Sequence, residues 1–372
     1  MKETARSAAL TALDRCFGSG AWAGQVLDAA QKQLEPREAA LASRLTRGVL
    51  QNYRLLDYDL DAFLRKGGKM DLTVRNLLRL GAYQILFSDR IPVSAAVNES
   101  VELCRRRGFS SACGLVNAVL RRLAAAPPAL PEELGIRYSQ PDWFVERMLC
   151  EHGREFTEAL LRADNTEPAI ETHPGFTAGE TYVQDGAAFE AVRMAEPMPG
   201  MRVLDCCSAP GGKAFTAAVL MGNRGSILAC DIHAKKLSLI EEGAKRLGIS
   251  IVETCCRDAR EFVPELENVF DLVIADVPCS GFGVMRKKPE IRFKSAEEIA
   301  ALPLIQKPIA ENVSRFVRPG GKLLYSTCTI FPEENEGIAH AIPGFAVEKE
   351  KTFYPHIDGT DGFYACVLRK QS

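Results

Sequence analysis

The chain has 372 residues, 47% hydrophobic and 25% charged, with a formal net charge of −2. That length exceeds what one hydrophobic core usually serves, and the composition excludes a disordered or collagen-like chain. No run approaches the ~18 consecutive apolar residues of a membrane helix, and the N-terminus lacks the pattern of a secretion signal, so a cytoplasmic protein without a membrane partner is expected.

Ala5, Ala8, Ala9, Ala12, Leu13 and Cys16 fall at helical spacing and predict an amphipathic first helix. Apolar positions recur in the same way in Ala39–Leu50, Leu72–Phe87, Ala95–Leu103 and Gly114–Leu123, broken at Gly67-Gly68 and Pro92, which predicts an all-α domain over residues 1–125. Trp22 and Trp143 read as packing residues of helical segments. Residues 1–128 hold 19 Lys and Arg against 12 Asp and Glu, so a basic N-terminal part precedes an acidic remainder. A basic domain of this kind suits a polyanion. Arg105-Arg106-Arg107 and Arg121-Arg122 are its candidate phosphate-contacting residues.

The Pro- and Ala-rich stretch Ala124–Pro131 opens a linker region, 126–180, with two further short helices expected at Pro141–Glu151 and Arg154–Arg162. Beyond residue 181 the rhythm changes to strands alternating with helices. Strands are expected at Arg202–Cys206, Ser226–Cys230, Ile249–Glu253, Leu272–Ala275 and Lys322–Tyr325, with helices Gly211–Met221 and Ala234–Leu247 between them. Such alternation predicts an α/β domain over 181–372 with a doubly wound, Rossmann-like, mostly parallel sheet. An Ala-rich helix after Pro332 and late strands at Phe345–Glu348 and Gly362–Leu368 complete it.

The twelve cysteines include no Cys-x-x-Cys pair and the five histidines show no ligand spacing, so no metal site is expected. Most of the cysteines read as reduced, apolar fillers. Two have informative neighbours. The first strand runs into Asp205-Cys206-Cys207-Ser208-Ala209-Pro210-Gly211-Gly212-Lys213, where glycines bring the backbone near a ligand at a helix N-terminus. Asp231 ends the second strand, 19 residues after Gly212, where a carboxylate can accept both hydroxyls of an adenosine ribose. Asp258 and Asp276 follow the third and fourth strands. The loop matches neither Gly-x-Gly-x-x-Gly nor a Walker loop, which speaks against a dinucleotide-dependent oxidoreductase. An acid-rich crevice fits a nucleoside cofactor bearing a positive sulfonium better than a pyrophosphate.

The fourth strand continues into Asp276-Val277-Pro278-Cys279-Ser280-Gly281 and the fifth into Tyr325-Ser326-Thr327-Cys328-Thr329, so two thiols leave neighbouring strand ends into one crevice. Cytosine C5 is a poor nucleophile. Addition of a thiolate at C6 makes it enamine-like and able to accept a methyl group, and loss of the C5 proton then expels the thiolate.

Asp205–Lys213, the Pro-Cys segment 276–281, and Ser326-Thr327-Cys328 with Pro332-Glu333-Glu334-Asn335 closely resemble the Sun-type RNA cytosine-C5 methyltransferases, including those that act on 16S ribosomal RNA. Gly114–Arg122 resembles their NusB-like RNA-binding domain, so nearly the whole chain is covered. The resemblance implies S-adenosylmethionine as cofactor, held by Cys207, Ser208, Ala209, Pro210, Gly211, Gly212 and Lys213, with Asp231 at the ribose and Asp258 at the adenine side. It implies Asp276 facing the target base, Cys328 as nucleophile, Cys279 assisting product release and Lys213 helping at the base. The expected partner is RNA, small-subunit ribosomal RNA first and transfer RNA as the alternative, with a monomeric enzyme. A non-catalytic RNA-binding protein is the rival reading, opposed by the intact cysteine pair. The chain departs from the family at 165–179, too short for the RNA-contacting subdomain found there in other members. Arg286, Lys287 and Lys288, followed by Arg292 and Lys294, are further candidate phosphate contacts beside the pocket.

Overall fold

The computed structural model describes residues 3–31, 34–65, 67–166 and 182–371. The chain divides into two compact units, one of residues 1–167 with 285–294 and the other of 168–284 with 295–372.

The first unit is helical: α1 (Ala5–Ser19), α2 (Ala23–Gln31), α3 (Pro36–Asp61), α4 (Leu72–Phe87), α5 (Val93–Arg106), α6 (Cys113–Ala125), the short α7 (Leu134–Arg137) and α8 (Asp142–Asp164). Leu10 and Leu13, Leu45 and Val49, Val74 and Leu77, and Val116 and Leu120 meet in its core, three or four residues apart along each helix, as an apolar stripe requires. Thr4 and Asp71 cap α1 and α4 by accepting from the amides of Ser7 and Thr73. Gly153, at φ 75°, interrupts α8 and gives the two helical pieces expected there. The described part of 126–180 holds α7 and α8 within this same unit. Arg54 of α3 fastens them by a two-pronged contact to Asp142 at 2.7 and 3.0 Å. The shortened segment 165–179 lies outside the described residues beyond Thr166. Trp22 precedes α2 rather than lying in it and is 38% exposed.

The second unit carries α9 (Gly186–Ala195), β1 (Arg202–Asp205), α10 (Gly212–Leu220), β2 (Ser226–Asp231), α11 (Ala234–Arg246), β3 (Val252–Cys256), β4 (Phe270–Asp276), α12 (Ala296–Ala300), α13 (Pro303–Ser314), β5 (Val317–Thr327), α14 (Glu336–Ala339), β6 (Phe345–Phe353), α15 (Pro355–Asp358) and β7 (Phe363–Lys370). The sheet order is β3-β2-β1-β4-β5-β7-β6. The first five strands are parallel, and β7 runs antiparallel between β5 and β6. This is the expected doubly wound, mostly parallel sheet. Alternate residues feed two cores. Val203, Ile274, Leu324 and Val367 pack under α9, α10 and α11, while Leu204, Val273, Leu323 and Leu368 pack on α13 and α14. A parallel sheet covered on both faces demands this continuous apolar character.

The boundaries differ where backbone groups serve other purposes. The third strand starts at Val252, not Ile249, because residues 248–250 close the preceding helix: the Ile249 amide donates to Ala244 and the Ser250 amide to Asn223 Oδ1. Strand β6 runs on to Phe353 through Lys349-Glu350-Lys351, charged in the manner of an edge strand. The expected helix after Pro332 is a single turn. Because the strand order reverses between β1 and β4, their carboxyl ends open a crevice, and the signature loops lie there.

Candidate active site

The loop after β1 is shaped by its own residues. Cys206 and Ser208 donate their amides to the carbonyls of Ile274 and Cys230 at 2.9 and 2.8 Å, tying the loop to β4 and β2. The Ala209–Pro210 peptide is cis. Gly211 sits at φ 106°, and a Cβ there would meet the Phe215 ring at 2.5 Å, so only glycine makes this entry into α10. A cavity of about 180 Å³ results, lined by Val183, Gln184, Ala188, Asp205, Cys207, Ser208, Ala209, Pro210, Gly212, Lys213 and Asp276.

Asp205 and Ser208 are buried next to each other, and among the described residues neither the carboxylate oxygens nor the hydroxyl makes a hydrogen bond of normal geometry. Burial pushes the Asp205 carboxyl up to about 7. Such orphaned polar atoms on a cavity wall suit a ligand with donor groups, and an ammonium above all. The cavity thus brings together Cys207, Ser208, Ala209, Pro210, Gly212, Lys213 and Asp276, while Gly211 shapes it from behind. Asp231 and Asp258 do not line it. Asp231 ends β2, accepting from the His233 amide at 2.9 Å. Asp258 is engaged by Arg260, whose Nε lies 3.0 and 3.1 Å from its two oxygens and whose hydrogen bonds hold its carboxyl below the usual range.

Beside the cavity, Lys213 Nζ donates to Asp276 Oδ2 at 2.7 Å and Ser326 Oγ to Asp276 Oδ1 at 2.8 Å. Burial works against the Lys213 charge, but the Asp276 carboxylate more than offsets it and holds the ammonium above its ordinary range. Cys328 contributes in the same direction, so the ammonium feels that sulfur too. The two sulfurs of Cys279 and Cys328 are 3.1 Å apart, and the Cys328 amide also donates to Cys279 Sγ at 3.2 Å. The hydrogen bond with Cys328, and burial after it, raise the Cys279 thiol well above its ordinary value. Cys279 is therefore held as a protonated thiol.

The loops that carry these thiols are cross-linked at several points. Glu334 Oε2 accepts from the Ser280 amide at 2.9 Å and from Gln306 Nε2 at 2.8 Å. Ser280 Oγ donates to Thr329 Oγ1 at 2.7 Å. Asn335 accepts from Thr327 Oγ1 at 2.5 Å and donates to the Thr329 carbonyl at 3.1 Å. The Gly283 amide donates to the Cys328 carbonyl, and a Cβ on Gly283 would fall 1.8 Å from the Gly362 oxygen. In the sequence Glu334 and Asn335 stand in the Pro-Glu-Glu-Asn motif and Ser326 in the Thr-Cys motif without a role, Asp205 is one of the strand-end acids, and Gln184 and Gln306 carry no assignment. The motif spacing was the available signal for Glu334 and Asn335. Gln306 gave none.

The arginine candidates separate by environment. Arg105 and Arg106 are exposed and share Glu102 at 2.5 and 3.0 Å. Arg121 and Arg122 are exposed, Arg121 donating to Asn117 Oδ1 at 3.0 Å. Arg107 is half-buried and ties α5 to α1 through the Ser7 carbonyl at 3.1 Å. Lys288 is exposed and Arg286 and Lys287 half-buried. Arg292 requires a correction. It is 2% exposed, its guanidinium donating to Asp164 O, Asn165 Oδ1 and Met285 O. It pins 285–294 into the helical unit and offers no phosphate contact.

The family model for 16S rRNA methyltransferase RsmB/F matches residues 192–343, and the NusB family model matches residues 3–125. The probable ribosomal RNA small subunit methyltransferase B of Bacillus subtilis (strain 168) is 33% identical over 448 aligned positions that cover all of both chains. Since this chain supplies only 372 residues, that relative carries residues absent here. The ribosomal RNA small subunit methyltransferase B of Vibrio cholerae serotype O1 is 31% identical, covering 98% of this chain and 97% of its own. The crystal structure of PH0851 superimposes over the full length of both chains with a TM-score of 0.78 at 24% identity, a likeness of fold. Sequence, fold and the matched regions agree: the chain belongs to the 16S rRNA methyltransferase RsmB/F family, with a NusB-family domain ahead of its methyltransferase domain.

Proposed function

We propose that this protein methylates C5 of a cytosine in small-subunit ribosomal RNA through a covalent adduct on Cys328. S-adenosylmethionine supplies the methyl group. The observation that carries the reading is the pair of thiols 3.1 Å apart beside a Lys213–Asp276 ion pair, at the edge of a cavity with an unpartnered buried carboxylate.

Each residue has a task that its surroundings favour. Asp205 and Ser208 take the amino end of the donor, with Gly212 and the first amides of α10 behind them. Lys213 favours the Cys328 thiolate, which adds to C6 of the base. Asp276, fixed by Lys213 and Ser326, accepts from the amino group at the polar edge of the cytosine as charge moves toward N3. Cys279, which holds its proton, assists collapse of the adduct and release of the methylated RNA. Asp231 is assigned to the ribose and Asp258 to the adenine side of the donor. Attack at C6 comes from above the ring plane, so the target base is unstacked from its neighbours. The exposed Arg105, Arg106, Arg121, Arg122 and Lys288, with Arg286 and Lys287, are the residues assigned to RNA phosphates.

The test is methyl transfer to deproteinised small-subunit ribosomal RNA from cells lacking this protein, with labelled S-adenosylmethionine. Label appears as 5-methylcytosine at one position and disappears with Cys328→Ala. Label surviving that substitution, or found on another base, would overturn the proposal. Label on transfer RNA alone would keep the chemistry and change the substrate.

A further inference from the structure

Among the described residues, three pairs of cysteines lie near enough to influence each other: Cys104 with Cys113, Cys230 with Cys255, and Cys279 with Cys328. In the first two, one member is sealed in a core, Cys104 at 0% and Cys230 at 2% exposure. In the third both residues are half-buried, and their sulfurs lie 3.1 Å apart. We propose that Cys279 and Cys328 form a reversible disulfide under peroxide, a modification site that switches the enzyme off while leaving its cofactor pocket intact.

The geometry supports this in three ways. Adjacent parallel strands lie about 4.8 Å apart, and β4 and β5 are in register up to Asp276 and Ser326, just short of the two cysteines. The two cysteines therefore leave neighbouring strand ends, whose spacing is of the order of the roughly 4.4–6.8 Å that a disulfide spans between Cα atoms. The sulfurs need to approach by only about 1 Å to reach a bond of about 2.05 Å, which side-chain rotation supplies. The flanking contacts, Val277 with Ser326, Ser280 with Thr329 and Gly283 with Cys328, hold the two loops against each other.

The chemistry divides between the two thiols as their environments dictate. The Lys213 ammonium favours the thiolate at Cys328, the form that attacks peroxide. The Cys328 sulfur takes one oxygen of hydrogen peroxide to become a sulfenic acid, and the O–O bond breaks with release of hydroxide. The Cys279 sulfur then displaces that oxygen as water, losing its thiol proton, and the S–S bond forms. Overall, two thiols and one peroxide give one disulfide and two waters. A dithiol reductant reverses the reaction by exchange. Cys279 thereby keeps Cys328 from the irreversible sulfinic state. The loss of activity rests on the function proposed above, whereas formation of the bond does not.

The experiment treats the full-length protein with graded hydrogen peroxide, alkylates free thiols and maps linked peptides by mass spectrometry without reduction. Expected are a Cys279–Cys328 linked peptide, methyl transfer lost in proportion to the linked fraction and regained with dithiothreitol, and unchanged S-adenosylhomocysteine affinity. In Cys279→Ser the link is absent and Cys328 proceeds to sulfinate that dithiothreitol does not rescue. Sulfinate at Cys328 of the unsubstituted protein, or linkage of Cys104–Cys113 or Cys230–Cys255 at lower peroxide than the active-site pair, would overturn the proposal. If the reduced protein transfers no methyl group at all, the function proposed above fails, and the linked peptide still decides this inference.

Discussion

At the scale of single residues, two side chains set the pH behaviour and the commitment of the site. Asp205, raised by burial to about 7, is partly neutral in the free protein near neutral pH. An ammonium group seated against it favours the ionised form and displaces its proton. Affinity for S-adenosylhomocysteine therefore rises from about pH 6 to about pH 8, and titration calorimetry should show this slope flattened and binding weakened in Asp205→Asn. Cys279 retains its proton because its neighbour's sulfur and burial disfavour the thiolate. Cys279→Ala is expected to permit addition at Cys328 but not release, leaving an RNA-linked species visible on a denaturing gel. Normal turnover in that variant would remove Cys279 from the mechanism. Both cysteines and the whole glycine loop were legible in the sequence, since each belongs to a short contiguous motif. The orphaned state of Asp205 was not, since a strand-end acid looks the same whether paired or alone.

At the scale of elements, the site depends on loops pressed together without side chains between them. Gly283 lies against Gly362 so closely that a Cβ meets its carbonyl oxygen and carbon at 1.8 and 2.4 Å. Gly283→Ala displaces the Cys279 loop at a cost of about 1–3 kcal/mol. It is expected to reduce kcat at least tenfold while S-adenosylhomocysteine affinity changes little, because the cofactor loop hangs from a different strand. Equal losses in both would mean that the loops move together. Gly211→Ala should do the reverse, abolishing binding by driving its Cβ into the Phe215 ring. The order and nature of the elements followed from apolar periodicity. Their ends did not, because Gly248 to Ser250 are spent on a helix end and Lys349-Glu350-Lys351 on a sheet edge.

At the scale of the whole molecule, the chain leaves the α/β unit after Val284, packs residues 285–294 into the helical unit and returns at Ser295. Arg292 holds that excursion, buried among the carbonyls of Asp164 and Met285 and the Asn165 amide oxygen, with burial lowering its guanidinium to about 10. Arg292→Met removes these charged hydrogen bonds and leaves their acceptors buried, a cost of about 3 kcal/mol. Hydrogen exchange should show protection lost in 289–293 and in the end of α8, with the sheet strands unchanged. Unaltered exchange in both segments would show that apolar packing alone seats the excursion.

The two-part organisation, the strand and helix rhythm, the cofactor loop and the two cysteine motifs could all be read along the chain. Each is a local pattern whose meaning is carried by neighbours within a few residues. Folding alone settles that two thiols 49 residues apart meet at 3.1 Å, and that Arg292 is a buried clasp rather than a surface charge. These outcomes depend on which side chains converge from distant segments and on how much water remains around them. Charge and hydrogen-bonding capacity are written in the chain, but burial and partnership arise only when it folds.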